Sequence, residues 1–284
     1  MKILVLGAGG MAGHVIAVSL KEKGHNIIGF ARRDLSFCDT VVGDVCDIAA
    51  LKKTLLSDEF DAIVNAVGIF PKAINENPYN GIWLNSCLTH LLAELTQNSK
   101  TRIIHLSTDC VFSGYDAGFY DENSFCNADD YYGRSKKLGE LNDNKNLTFR
   151  MSIIGPDINK NGIGLFNWFM KQKEEVNGFR KAIWTGVTTI TLADAIDEAL
   201  KQNLTGLYHL VNNQTINKYD LLKLFNELRL EKIKINPADD YIVDKSMLNT
   251  RKDFDFAVPS YKDMVTNMRD WIREHGEFYS HYNV

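Results

Sequence analysis

A phenol and an ammonium stand four positions apart in the segment Tyr132–Lys136. On a helix this spacing places both side chains on one face, close enough to interact. Tyrosine has an unperturbed pKa near ~10 and is a poor acid–base group at neutral pH. Because a nearby positive charge favours phenolate, we expect Lys136 to lower the pKa of Tyr132. A lone Tyr-x-x-x-Lys spacing is common by chance, so its meaning depends on the surrounding elements.

A strand-type run and a glycine-rich turn begin the chain. Lys2 is followed by four apolar residues at 3–6, residues 7–13 read Gly-Ala-Gly-Gly-Met-Ala-Gly, and an amphipathic segment continues to about Gly24. Strand, glycine turn and helix are the context of a dinucleotide-binding motif. Glycines permit the tight turn and let backbone N–H groups approach a pyrophosphate at the positive end of the helix. The predicted cofactor residues of this turn are Gly7, Gly10, Met11 and Gly13.

The end of the next strand-type run, residues 26–31, indicates which dinucleotide is bound. An NAD site usually has an acidic residue here that holds the ribose 2′-hydroxyl. This chain has Ala31, followed by Arg32 and Arg33. Two guanidinium groups suit a 2′-phosphate, which a carboxylate would repel. We therefore predict NADPH, and NADH remains the alternative if Asp34 supplies the missing acid.

Composition favours an enzyme without nucleic-acid or membrane partners. The 284 residues carry a net charge of −4 with dispersed Lys and Arg, which argues against nucleic acid and anionic membranes as partners. No apolar run approaches the ~18 residues of a membrane span, and the strand at residue 2 leaves no room for a signal peptide. The five cysteines form no C-x-x-C pair, so neither a metal site nor disulfides are expected. We expect a cytoplasmic protein with reduced thiols.

Strand-type and helix-type segments alternate along the first half of the chain. Residues 61–66, 102–107 and 147–150 resemble buried strands, and a helix is predicted from Trp83 to Leu95. This alternation predicts a Rossmann-type doubly wound parallel sheet with helices on both faces. Ligands bind such sheets at the carboxyl ends of the strands. The glycine turn and the segments that follow residues 65 and 106 should therefore meet in one cleft.

Two regions are predicted. Residues 1–152 are expected to form the dinucleotide-binding domain, and residues 153–284 mainly a smaller α/β substrate-binding lobe, packed so closely against it that counting the whole as one domain is the alternative. In the second region we predict a short element at 206–211 and a helix from Lys218 to Leu228.

Taken together, these motifs resemble the extended short-chain dehydrogenase/reductases. The similarity rests on Gly7-x-x-Gly10-x-x-Gly13, Asp44-Val45, Asn65-Ala66, Ser107-Thr108-Asp109 and Tyr132-x-x-x-Lys136. Within that group, residues 104–114 and 149–152 are most similar to the dTDP-4-dehydrorhamnose reductases, and residues 206–210 and 246–249 also fit. The resemblance thus covers nearly the whole chain. It implies reduction of the 4-keto group of a nucleotide-activated 4-keto-6-deoxy sugar by NADPH, for deoxysugar or polysaccharide biosynthesis.

The resemblance also implies roles for single residues. Tyr132 would donate a proton to the ketone oxygen as hydride arrives from the nicotinamide, and Lys136 would hold the nicotinamide ribose. Thr108 would hydrogen-bond the reacting oxygen, where negative charge develops; a plain strand-end cap is the alternative. The remaining cofactor residues would be Asp44 and Val45 at the adenine, and Ala66, Val67 and Gly68 at the middle of the cofactor.

The chain departs from the family pattern on the substrate side. The substrate-binding residues implied by the resemblance are Asp109, Cys110 and Ile153. Cys110 stands where the family has a tyrosine, and Ile153 where it has a tryptophan. Val243–Lys245 replaces an Arg-Pro pair. We therefore predict the chemistry but not the identity of the nucleotide or sugar.

Two alternatives and the assembly state stay open at this point. The chain could resemble a GDP-fucose synthase-like epimerase/reductase with Cys110 as an acid–base group, although residues 161–166 lack the histidine of that family. A 4,6-dehydratase is disfavoured because Cys110 replaces the required glutamate. Relatives also serve as NADP-binding regulatory subunits of methionine adenosyltransferase, but Thr108, Tyr132 and Lys136 are all retained. A homodimer is one expected assembly.

Overall fold

The computed structural model describes residues 1–116 and 118–284. Its strands, in chain order, are β1 (Lys2–Leu6), β2 (Asn26–Ala31), β3 (Asp39–Val42), β4 (Ala62–Asn65), β5 (Arg102–Leu106), β6 (Leu147–Arg150), β7 (Ile153–Ile154), β8 (Val176–Phe179), β9 (Ala182–Trp184), β10 (Val187–Thr188), β11 (Gly206–His209), β12 (Ile216–Asn217), β13 (Ile235–Ala238) and β14 (Val243–Asp244).

The helices lie between these strands or follow them. They are α1 (Met11–Glu22), α2 (Ile48–Leu56), α3 (Pro71–Glu76), α4 (Pro78–Ile82), α5 (Leu88–Thr96), α6 (Tyr131–Leu138), α7 (Leu165–Met170), α8 (Thr189–Lys201), α9 (Lys218–Leu228) and α10 (Tyr261–Glu274). A π-helical turn at Trp83–Cys87 joins α4 to α5, and a 3₁₀ turn occupies Asp109–Val111. Among the described residues, no helix is both long and apolar enough to cross a bilayer.

A seven-stranded parallel sheet organises the molecule. Its strand order is β11-β6-β5-β4-β1-β2-β3. Strand β1 pairs with β2 on one side and with β4 on the other, so the chain winds outward in both directions from this point. This is the topological switch point at which doubly wound sheets bind their ligands. The predicted fold class is confirmed.

Each face of the sheet has its own apolar core, and the alternation along β1 shows how they are separated. Ile3 and Val5 belong to one cluster, which includes residues of α1, α8 and α10. Leu4 and Leu6 belong to the other, which includes residues of α2 and α5. Because successive side chains point to opposite faces, a strand buried on both faces is apolar throughout. This explains the uninterrupted apolar run at the start of the chain.

Residues after 153 form small strand pairs and also return to the main sheet. The short element predicted at 206–211 is β11, which pairs with β6 and completes the seven-stranded sheet. The predicted helix at Lys218–Leu228 is α9. The helix predicted over 83–95 exists as the π-helical turn followed by α5. The division of the chain at residue 152 stays a prediction.

Candidate active site

A cavity of about 1160 Å³ opens at the carboxyl ends of the central strands. Each of β1, β2 and β4 delivers its following residues to the wall of this cavity. Of the residues predicted to bind the cofactor, the following line it: Gly7, Gly10, Arg32, Arg33, Asp44, Val45, Ala66, Val67 and Gly68. The structure thus brings together in one cleft residues that span more than 60 positions of sequence.

The glycine turn after β1 has the geometry of a phosphate cradle. Gly7 has φ +75°, a conformation that L side chains rarely adopt, and Gly10 N donates to Gly7 O at 2.9 Å. A Cβ at Gly13 would lie 2.1 Å from Gly7 O. Gly13 therefore serves the close packing of α1 against the turn and does not line the cavity. Met11 does not line the cavity either; its Sδ would lie 2.9 Å from a Cβ at Gly164.

Two guanidinium groups stand at the far end of the same cavity. Arg32 and Arg33 both line it and are exposed, whereas Asp34 is not among the lining residues. A carboxylate from Asp34 is therefore not at the position where an NAD site would need it. This arrangement favours a ligand that carries a phosphate at this end.

Helix α6 is fixed in place by its own cap and by the π-helical turn. The Asp130 carboxylate accepts a hydrogen bond from Gly133 N at 2.6 Å and caps the helix. Ser86 Oγ donates to Ser135 O at 2.6 Å, and Asn85 Nδ2 donates to Ser135 Oγ at 3.1 Å. A Cβ at Gly133 would lie 2.2 Å from Cys110 O, so only glycine allows this approach. The helix is thereby held tightly against the segment that follows β5.

Tyr132 is poised as a neutral acid. Burial is the main cause that raises the pKa of its phenol above the ordinary value, the Cys110 thiol adds to this, and the Thr108 hydroxyl opposes it. The expectation that Lys136 lowers this pKa is wrong, because desolvation sets the direction of the shift. A phenol that keeps its proton at neutral pH suits a group that must donate a proton.

Thr108 stands beside Tyr132 and also caps the 3₁₀ turn. Its Oγ1 accepts a hydrogen bond from Cys110 N at 3.1 Å and lies 3.1 Å from Asp109 Oδ1, to which it donates. The hydroxyl is buried and belongs to the group of side chains that perturb the phenol. The Thr108 hydroxyl can therefore cap the 3₁₀ turn and also contact a substrate from the same position.

Lys136 is buried, and burial lowers the pKa of its ammonium to about 8. Its Nζ donates to Leu106 O at 2.5 Å and lies 3.5 Å from His105 Nε2. Burial and the positive charge of Lys136 hold the pKa of His105 well below its usual range, so the ring is neutral. His105 is fully buried, and the structure places it next to the lysine.

A buried polar chain leads from His105 toward the large cavity. With Nε2 facing the ammonium, His105 Nδ1–H is left to donate to Thr89 Oγ1 at 3.2 Å. Asn65 Nδ2 donates to the same Thr89 oxygen at 3.0 Å, and Asn65 Oδ1 accepts from Val67 N at 3.2 Å. Val67 lines the large cavity. A continuous set of hydrogen bonds therefore connects Lys136 to Val67, and it fixes the position of the lysine relative to the wall of the large cavity.

A second cavity, of about 470 Å³, is lined by the two residues that follow Thr108. Asp109 and Cys110 line it as predicted, but Ile153 does not. Ile153 lies in β7, paired with Val187, and it is the preceding Ser152 that reaches the cavity. Most of the lining comes from the second half of the chain: Leu165, Trp168, Asn177, Phe179, Ala182, Ile183, Trp184, Lys218, Leu222, Tyr241, Val243 and Lys245.

Two lysines flank the polar end of this second cavity. Lys218 and Lys245 both lie close enough to Asp109 and Cys110 that these two residues raise the pKa of each ammonium, against the effect of burial. Lys218 Nζ also lies 4.8 Å from the centre of the Trp184 ring. Burial lowers the pKa of Lys218 to about 8. Sequence reasoning missed Lys218, since a lysine at the start of an amphipathic helix is usually a solvated residue.

The Cys110 thiol is protonated in this setting. Burial, assisted by the negative charge of Asp109, raises its pKa to about 12. A thiol of this kind is a weak acid–base group at neutral pH. In the part of the chain that the structure describes, no cluster of three or more His, Cys, Asp or Glu side chains is arranged to hold a metal ion.

Comparison with known proteins gives a consistent result. Residues 1–247 match the family model described as the RmlD substrate binding domain. The dTDP-4-dehydrorhamnose reductase of Salmonella typhimurium is 28% identical, over 94% of this chain and 98% of the relative. The Escherichia coli enzyme of the same name is also 28% identical, over 94% of this chain and 97% of that protein. The crystal structure of a Bacillus anthracis dTDP-4-dehydrorhamnose reductase in complex with NADP superposes with a TM-score of 0.80 at 19% identity, covering 94% and 98% of the two chains.

Proposed function

This chain belongs to the RmlD substrate binding domain family, and we propose that it is an NADPH-dependent reductase of the 4-keto group of a nucleotide-activated 4-keto-6-deoxy sugar. The observation that carries the proposal is that Tyr132, Thr108 and Lys136 are linked to two cavities, although none of the three is itself a lining residue. Thr108 directly precedes Asp109 and Cys110 in the smaller cavity, and Lys136 is hydrogen-bonded through to Val67 in the larger one.

The residues of the larger cavity fit a dinucleotide. The strained Gly7, the missing side chain at Gly10 and the N-terminus of α1 provide backbone N–H groups for a pyrophosphate. Arg32 and Arg33 suit the 2′-phosphate of NADPH, and Val45, Ala66 and Gly68 would lie along the rest of the molecule. When bound, the reduced nicotinamide supplies the two electrons of the reduction.

Tyr132 and Thr108 supply the proton and orient the ketone. The neutral phenol of Tyr132 donates its proton to the carbonyl oxygen as negative charge develops there. The Thr108 hydroxyl donates a second hydrogen bond to the same oxygen in exchange for its bond to Asp109. Both groups are largely removed from water, which strengthens their interaction with the developing charge.

Lys136 positions the ribose and compensates the negative charge that forms on Tyr132. Its ammonium is held at the end of β5 by Leu106 O and by the neutral His105 ring. From there it can donate to a ribose hydroxyl, and its positive charge opposes the cost of forming phenolate on Tyr132 after proton transfer. The polar chain to Asn65 keeps this lysine and the Val67 segment in a fixed relation.

The smaller cavity is lined by aromatic side chains and by two lysines, and both kinds of side chain suit a nucleotide sugar. Trp168, Phe179, Trp184 and Tyr241 offer aromatic faces on which a base can stack. Lys218 and Lys245 place two ammonium groups next to Cys110 and Asp109, where a diphosphate would be neutralised. We propose that these two lysines take the part of the family's Arg-Pro pair.

The epimerase/reductase alternative is less well supported by the site. It needs Cys110 as an acid–base group near neutral pH, whereas burial and Asp109 favour the protonated thiol. The regulatory-subunit alternative requires no turnover, and no contact in the described residues favours it over catalysis. The proposal also includes a cytoplasmic location and leaves a choice between monomer and homodimer, which light scattering of the purified chain would decide.

A substrate panel tests the proposed reaction. Purified protein is mixed with NADPH and with dTDP-, GDP-, UDP- or CDP-linked 4-keto-6-deoxy sugars, and loss of the reduced-nicotinamide absorbance is followed. We expect oxidation with one nucleotide series and a 4-hydroxy product by NMR. Tight NADPH binding without oxidation by any of these sugars would instead support the regulatory role.

A further inference from the structure

The last ten residues, 275–284, form a segment that reaches the cofactor cavity and that the motifs did not mark. After α10 the chain turns back, and Glu277, Phe278, Ser280 and His281 line the large cavity. Asn159 and Lys160, from the loop before α7, line it alongside them. The matched family region ends at residue 247, before this segment. One wall of the cavity is therefore built by residues that lie far in the sequence from every nucleotide-binding motif.

This C-terminal segment is anchored to the glycine turn by a chain of hydrogen bonds. Tyr279 is 2% exposed, and Trp271 Nε1–H donates to its oxygen at 2.9 Å. The Tyr279 hydroxyl in turn donates to His14 Nε2 at 2.6 Å. His14 Nδ1–H is then free to donate to Gly10 O at 2.8 Å. His14 can accept at Nε2 and donate at Nδ1 only if its ring is neutral. Burial lowers the pKa of His14 to about 4, so the neutral ring is the stable form.

Two further contacts join the segment to both ends of the cavity. The Tyr282 hydroxyl accepts from Asp157 N at 2.9 Å and donates to Asn167 Oδ1 at 2.9 Å, which ties the segment to the loop that carries Lys160. Phe278 packs edge-on against Phe37 at 5.6 Å, in the loop that follows Arg32 and Arg33. The segment thus spans from the glycine turn to the arginine loop.

One polar atom in this wall lacks a partner. His281 Nε2 is buried and has no hydrogen-bond partner among the described residues. An unsatisfied buried polar nitrogen is costly, so it calls for a ligand. Burial is the main cause that lowers the pKa of the His281 ring; the backbone and the carboxylate of Asp157 oppose this shift, and the positive charges of Lys171 and Lys160 add to it. An anion placed between His281 and Lys160 would supply the missing hydrogen bond and would be attracted by the Lys160 ammonium, while the Asp157 carboxylate would oppose its binding.

We propose that the C-terminal segment is part of the dinucleotide site, with His281 and Lys160 binding the pyrophosphate from the side opposite the glycine turn. Tyr279, acting through His14, is a positioning residue for that turn. The inference rests on the proposed function, because it needs a dinucleotide in this cavity. Glu277 adds one carboxylate to the same wall, and its charge works against the bound phosphates.

Binding affinity tests the proposal without any turnover. We would measure the Kd of NADPH and of NADH by titration calorimetry for the double variant Lys160→Ala/His281→Ala. Since both nucleotides have the pyrophosphate, both should bind about tenfold more weakly, the loss expected for charge-assisted hydrogen bonds. Lys160→Arg should keep most of the affinity, and Glu277→Gln should tighten binding of both nucleotides by a few-fold.

Matched controls separate the possible outcomes. Lys173→Ala and Asn283→Ala remove exposed side chains that do not line the cavity, and they should leave both Kd values unchanged. Unaltered affinity in the double variant, or a loss confined to NADPH, would overturn the proposed pyrophosphate contact. If the unaltered protein bound neither nucleotide, the proposed function itself would be wrong.

Tyr279→Phe tests the positioning role. It keeps the ring in the core but removes the bond to His14, and we expect the Kd of both nucleotides to rise about threefold. The KM for the sugar should stay constant, which a general loss of stability would not produce. A lower melting temperature with unchanged nucleotide affinity would show that Tyr279 serves folding alone.

Discussion

The two cavities of this protein are built in different ways. The larger one is formed mainly by short segments that directly follow β1, β2, β3 and β4, and the C-terminal segment and the loop before α7 complete one wall. The smaller one is formed by side chains from segments scattered between Asp109 and Lys245. The first kind of site leaves a local pattern in the sequence, since glycines must occur where the chain turns and approaches a ligand. The second kind becomes visible only when the chain is folded.

The largest expected effect comes from Tyr132, which lines neither cavity. Tyr132→Phe removes the proton donor without changing the walls of the cofactor cavity, so kcat should fall by about 10²-fold or more, the scale of a lost general acid. The Kd of NADPH should stay nearly the same. Steady-state kinetics and calorimetry measure the two quantities. Comparable turnover in this variant would remove Tyr132 from the mechanism.

The next effect concerns the larger cavity alone. Arg32→Ala/Arg33→Ala should weaken NADPH binding by about 30-fold, because two charge-assisted hydrogen bonds to the 2′-phosphate are lost. NADH, which lacks that phosphate, should bind the variant and the unaltered protein about equally. The ratio of the two Kd values is the measurement. An equal loss of affinity for both nucleotides would show that the arginines do not contact the 2′-phosphate.

A smaller effect is expected from the smaller cavity. Lys218→Met should raise the KM for the nucleotide sugar about tenfold through loss of one ammonium–phosphate contact, with the Kd of NADPH unchanged. The exposed Lys232 offers a matched control, and Lys232→Met should alter neither value. If Lys218→Met weakened NADPH binding instead, the division of roles between the cavities would be wrong.

The smallest effect is a pH dependence of cofactor binding. Burial lowers the pKa of Lys136 to about 8, so its ammonium is present below that pH and is lost as the pH rises through it. Since the ammonium is the proposed ribose contact, NADPH should bind roughly fourfold more weakly at about pH 8.5 than at about pH 7. Lys136→Met should abolish this dependence. Lys218→Met should retain it, although burial also lowers the pKa of Lys218 to about 8.

The residues that sequence reasoning found and missed follow the same division. The strand at Lys2–Leu6, the turn at Gly7 and the helix with Tyr132 each have a local signature, and all are where the sequence predicts them. Ile153 was predicted to bind substrate from its position in the family pattern, but it is Ser152 that lines the smaller cavity. In extended chain, neighbouring residues point to opposite sides, so an error of one position exchanges the inward and outward side chains. His281 and Lys218 carry no local signal, since their importance depends on what folding brings next to them. The raised pKa of Tyr132 likewise reflects burial, which spacing does not report.

Transfer of isotope from the cofactor to the sugar tests the central proposal most directly. NADPH labelled with deuterium at both positions of carbon 4 of the nicotinamide is incubated with the accepted 4-keto-6-deoxy nucleotide sugar, and a parallel reaction uses unlabelled NADPH in heavy water. The proposed reduction predicts deuterium at carbon 4 of the sugar in the first reaction and none bound to the ring carbons in the second. Solvent deuterium at carbon 3 or carbon 5, or no label at carbon 4, would contradict it.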